Sequence, residues 1–272
     1  MLHSPDGAER DGRSVELSAA QYGLLCGAAF LGGTVDAIAG GGGLVTVPAL
    51  LAAGLSPHQA LGTNKGQSTF GSFAAWMRFR HAGLVDDRTA KISFPLGILG
   101  SLAGASLALL IRPEVLRPLV LGLLVLAAGV IAMARLRPRE EQAGRGPAAA
   151  WLIAAIALGL GVYDGFFGPG MGTFVIAAYV ALVHLPLARA SANAKVLNFA
   201  SNLAALAIFA RGGVVVWTAA VPMAVAQLAG GFLGAHLAVR RGAGLIRGVA
   251  LAVALALVIK IARDLILEGR VG

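Results

Sequence analysis

Ten apolar stretches, separated by short polar gaps, constrain this 272-residue chain more than any other feature. Eight are about 20 residues long, at roughly 17–39, 59–80, 92–111, 114–134, 148–167, 190–210, 214–238 and 245–267. A helix of about 20 apolar residues spans the hydrocarbon of a bilayer, roughly 30 Å. Two shorter runs, 43–54 and 172–185, reach only part of the way. They are expected either to cross at a thin place or to dip in and return, lined by protein or a wet cavity where the backbone breaks. Charged residues make up 13% of the chain, about half the share usual in soluble domains. The expected fold class is therefore all-α, a polytopic membrane protein whose solvent is the lipid bilayer. The net charge of +9 does not point to nucleic acid, because the arginines gather in the gaps between apolar runs, as cations of membrane loops do. A single cysteine, Cys26, excludes an internal disulfide framework. No oligomeric state is legible.

The chain divides almost evenly. The expected organisation is a flexible polar tail at 1–16, a first membrane repeat at 17–134, a basic cytoplasmic linker at 135–147, a second repeat at 148–267 and a short tail at 268–272. Shifting by 130 residues sets Gly40 on Gly170, Gly42 on Gly172, Lys65 on Lys195, Gly100 on Gly230 and Gly104 on Gly234. Asp36 meets Asp164 if two residues are gapped. Lysine matched to lysine inside apolar sequence carries more weight than the glycines. Internal repeats of this kind occur in transporters. The basic loops 78–91 and 135–147 are expected on the cytoplasmic side. Re-entrant short runs imply parallel repeats of four crossings, whereas crossing short runs imply inverted repeats of five, and the charge pattern leaves both open.

Polar residues inside the apolar runs are the functional candidates. Gly40, Gly41, Gly42 and Gly43 stand four to seven residues after Asp36, and Gly168, Gly170 and Gly172 follow Asp164 in the same way. Glycine runs can bare backbone N–H groups at a helix start, which is a device for holding an anion; close helix packing is the plainer alternative. Lys65, Ser68 and Ser72 share one helix face, and Lys195, Asn198 and Asn202 repeat that spacing. Thr69 adds a hydroxyl beside the first stripe. An ionisable residue in the membrane is costly and suggests function, although a lysine near a helix end can also snorkel to the interface. Each stripe offers a cation with hydrogen-bond donors, suited to a small oxyanion. Asp36 and Asp164 are candidates for proton coupling or for pairing with the lysines.

Other chemistry is not indicated. The histidines at 3, 58, 81, 184 and 236 show no metal-ligand spacing, and neither a phosphate-binding loop nor a nucleophile elbow is present, so no cofactor, metal or enzyme activity is expected. The histidines read as loop or interface residues. Trp76, Trp151 and Trp217 read as interfacial anchors. Gly100–Gly104 and Gly230–Gly234 read as G-x-x-x-G packing faces.

The segments "GTVDAIAGGGGLVTVPALLAAGLSPHQALGTNKGQSTF", "GVYDGFFGPGMGTF" and "ASANAKVLNFASNL" resemble the sulfite exporter TauE/SafE family of bacterial membrane proteins, over roughly residues 18–267. The resemblance implies a permease of two related halves in the inner membrane, moving a sulfur-containing anion such as sulfite or an organosulfonate. Alternatives are a carrier or channel for another small anion or a metal ion, and a membrane scaffold subunit that moves no solute.

Overall fold

The structure, a computed structural model, describes residues 17–133 and 147–268. The expected tails and basic linker fall outside the described residues, except for Pro147 and Glu268, which belong to helices. Among the described residues there are nine helices and no strand: α1 (Ala19–Ala39), α2 (Gly43–Ala52), α3 (Pro57–His81), α4 (Asp87–Leu110), α5 (Pro113–Met133), α6 (Pro147–Phe166), α7 (Met171–Ala181), α8 (Leu187–Arg211) and α9 (Trp217–Glu268). Gly242 breaks α9, with φ 64° and ψ −153°. Local sequence sets several starts. Ser18 with Gln21, and Ser56 with Gln59, form capping boxes, while the Asp86 carboxylate accepts the Thr89 N–H.

The chain is an all-α polytopic membrane protein. Helices α1, α4, α6 and the Trp217–Ala252 part of α9 are each long and apolar enough to cross a bilayer. Helices α3 and α8 have 25 residues each, about 37 Å of helix, and their polar residues turn inward. With 10 and 11 residues, α2 and α7 reach only about 15–17 Å.

Helix α2 doubles back along α1. Thr46 and Gly42 lie against Gly32, and Gln21 Nε2 donates to the Ala53 carbonyl at the far end. Leu25, Ala29, Leu50, Leu55 and Ala60 then share one core cluster, so α3 starts on the side where α1 started. The α1–α2 hairpin thus enters and returns, with the glycine run at its tip. In the second set of helices, α6, α7 and the start of α8 pack together around Ile156, Val175 and Ala190.

Close backbone contacts give the directions. Gly230 sits on Phe30 and Gly234 on Thr34, so α9 runs parallel to α1. Gly100 sits on Leu158 and Gly104 on Val162, so α4 runs parallel to α6. A Cβ at Gly104 or Gly230 would strike a facing backbone carbonyl, and the G-x-x-x-G pairs do serve as packing faces. Helices α3 and α8 cross antiparallel, with Lys65 beside Asn202 and Phe73 beside Phe199.

Two of these side chains pack between helices. Trp76, read as an interfacial anchor, stacks on Phe199 at 5.3 Å, within a cluster completed by Phe73 and Phe94. His236, read as a loop or interface residue, lies within α9 and accepts the Arg78 Nε–H at 3.3 Å. Trp151 and Trp217, by contrast, are exposed near helix starts.

Candidate functional site

The glycine turns that end α1 and α6 meet inside the molecule. A Cβ on Gly172 would lie 2.8 Å from Gly40 Cα, 3.1 Å from Lys195 Nζ and 3.3 Å from Asn198 Nδ2. Gly168, at φ +98°, brings its backbone against Lys65 Nζ and Asp164 Oδ1. Gly40 and Gly168 need glycine both for conformation and for space, and Gly172 for space alone. Thr173 Oγ1 donates to the Ala39 carbonyl, and Ser191 Oγ to that of Ile38, which satisfies two carbonyls at the buried end of α1. Tyr163 OH donates to the Pro169 carbonyl at 2.6 Å and braces the second turn.

Around this junction the four expected ionisable residues form two pairs, and each pair joins the two sets of helices. Lys65 Nζ of α3 donates to Asp164 Oδ1 of α6 at 2.7 Å and to Asn202 Oδ1 of α8 at 2.9 Å. Ser201 Oγ donates to the other Asp164 oxygen. Lys195 Nζ of α8 donates to Asp36 Oδ2 of α1 at 2.8 Å, and Asn198 Nδ2 reaches the same oxygen at 3.4 Å. Asp36 Oδ1 accepts the Gly42 N–H at 3.3 Å.

Both ammonium groups are buried, at 1% and 0% side-chain exposure, so neither lysine snorkels to an interface. The pairs differ in their acids: Asp164 is 4% exposed and Asp36 18%. Burying such pairs carries a desolvation penalty that mutual attraction offsets only with good geometry, so they are weak stabilisers but strong liabilities when broken.

The expected residues are brought together unevenly. Gly40, Gly42, Gly168, Gly172, Asn198, Asn202 and the four charges converge on the junction. The hydroxyls of Ser68 and Thr69 do not point to it: Ser68 Oγ accepts from Gln227 Nε2, and Thr69 Oγ1 donates to the Lys65 carbonyl. The Gly42 N–H expected to await an external anion is held by the Asp36 carboxylate, which occupies the start of α2 as an internal anion.

Sequence reasoning missed Ser201, although it stands three residues after Asn198 on the polar face of α8. It also missed a buried group on the first set of helices. Thr46 Oγ1 donates to Asn64 Oδ1 at 2.6 Å, and Gln67 Nε2 donates to the same oxygen at 3.1 Å.

Charges buried between membrane helices mark solute or ion pathways, and the chain is of the class of multi-pass membrane transporters. More particularly, the chain belongs to the sulfite exporter TauE/SafE family, whose model matches residues 25–261. It is 40% identical over 227 residues to the probable membrane transporter protein YfcA of Escherichia coli K12, covering 83% of each chain. It is 35% identical over 240 residues to the probable membrane transporter protein ORF9 of a Sinorhizobium species, covering 87% of this chain and 90% of the relative. A probable membrane transporter protein of Haemophilus influenzae is 38% identical over 226 residues, covering 82% and 87%. No solved structure matches the chain.

Proposed function

We propose that the protein is a permease of the bacterial inner membrane that moves a small sulfur-containing anion, sulfite or an organosulfonate, with proton coupling. The observation that carries this reading is the pair of crossed ion pairs, Lys65–Asp164 and Lys195–Asp36, buried at the meeting glycine turns. Each lysine is an anion site whose place is held by a carboxylate. Protonating that carboxylate removes its charge and leaves the ammonium to a solute oxyanion. Anion and proton then occupy the site together without net change in buried charge, which suits a low-dielectric interior.

The same reading takes the chain as two related halves of opposite orientation. Five helical segments, the second of them short, precede the linker, and five follow once α9 is divided at Gly242. The antiparallel crossing of α3 and α8 supports inversion. In such folds, sites form between repeats at broken helices.

The test is flux into proteoliposomes of the full chain, measured with labelled sulfite, thiosulfate and sulfoacetate, with and without a pH gradient. Saturable uptake of at least one of them, driven by the gradient, is expected. Transport of none, or of a metal cation instead, removes the reading.

A further inference from the structure

A buried polar group where α3 meets α9 is not used by the ion pairs. Gln67 and Gln227 are 0% and 2% exposed. Each spends its amide N–H on an internal acceptor, Asn64 Oδ1 and Ser68 Oγ respectively. Each leaves a buried carbonyl oxygen without a donor among the described residues. Buried acceptors are nearly always satisfied, so two on one side of α3 call for an explanation.

The corresponding place, where α8 meets α4, is apolar. The positions 130 residues from Thr46, Asn64 and Gln67 are Ile176, Ala194 and Leu197, which lie in one apolar cluster. The position matched to Gln227 is Gly97, and Leu197 fills the space a Cβ there would take. The Gln227 side chain packs on Gly71, one helical turn after Gln67 on α3. Their surroundings connect to the charged site. Gln227 packs on Gly33, one helical turn and about 5 Å before Asp36 on α1. Thr46, which bonds Asn64, also donates to the Gly42 carbonyl.

We propose that Gln67 and Gln227 form a specificity subsite that accepts a hydrogen bond from an O–H or N–H on the solute. The preferred solutes are then small organic anions that carry a hydrogen-bond donor besides the acidic group. The anionic end sits at Lys195 and the donor end at the two amide oxygens. This rests on the anion-permease reading and refines it.

The test is competitive binding to the purified full-length protein, with 2-hydroxyethanesulfonate and 1-propanesulfonate as probes. These have similar size and differ by one hydroxyl. A site built to receive that hydroxyl discriminates against the methyl analogue, so the wild type is expected to prefer the hydroxyl compound by about 10-fold or more. In Gln67→Leu and in Gln227→Leu the ratio is expected to collapse to about one. Gln67→Met, flexible and of similar volume, serves should leucine not fit. Equal binding of both probes by the wild type, or a ratio that survives both substitutions, overturns the subsite. The anion reading still stands in that case, provided Lys195→Ala abolishes binding. Binding of neither probe removes both.

Discussion

Lys195 of α8 reaches Asp36 of α1 at 2.8 Å, and Lys65 of α3 reaches Asp164 of α6 at 2.7 Å, so neither lysine pairs with the aspartate of its own half of the chain. The partners are 159 and 99 residues apart. Any movement that separates the two sets of helices must therefore break a buried ion pair. On the proposed reading, a solute that took over an ammonium group would lower the barrier to that movement and tie binding to conformational change.

Removing one member of the more buried pair leaves an uncompensated charge. Lys65→Met and Asp164→Leu are each expected to destabilise the fold by about 3–5 kcal/mol. The double variant, with an apolar filling, should recover most of that loss. Thermal unfolding in detergent measures this double-mutant cycle. Additive losses would mean that the two side chains do not interact.

The glycine junction should tolerate no side chain. Gly40→Ala puts a Cβ against the backbone of Gly172 and Thr173 at a φ of +80°, and a loss of at least about 2 kcal/mol is expected. Gly27→Ala on α1 has nothing within 4 Å and should be neutral or stabilising by up to about 1 kcal/mol. Comparing the two melting temperatures separates a packed junction from a loose turn.

Opposite orientation of α3 and α8 is testable by labelling. Starting from Cys26→Ser, which removes the one native thiol, His81→Cys at the end of α3 and Arg211→Cys at the end of α8 should react with an impermeant maleimide from opposite faces of the membrane. Labelling of both from the same face would contradict the antiparallel crossing of these helices.

Proton coupling predicts a division of roles. Asp164→Asn keeps the shape and a hydrogen-bond acceptor but cannot take up a proton. Uptake driven by the pH gradient should fall by about 10-fold or more, while counterflow exchange of solute, which needs no net proton movement, should fall less. Equal loss of both assigns Asp164 to structure alone.

Much of this was readable in the sequence. Lysines and aspartates inside apolar runs are conspicuous because lipid excludes unpaired charge, and the Lys195, Asn198, Asn202 stripe marked a face that does converge on the site. The matching stripe on α3 misled, because Ser68 on the same face turns to Gln227 on α9 rather than to the charges. Periodicity locates a face but not the neighbour it meets. For the same reason the stacking of Trp76 on Phe199 of α8 was not legible. The exchange of partners between halves depends on helix direction, which the distribution of arginines left undecided.

Sulfite flux in a Lys65→Ala, Lys195→Ala double variant, reconstituted beside the wild type and shown to be folded, tests the central claim most directly. Losing two charge-assisted contacts, about 1.5–3 kcal/mol each, should reduce flux by about 100-fold or more. Flux equal to that of the wild type would show that the buried ammonium groups do not hold the solute.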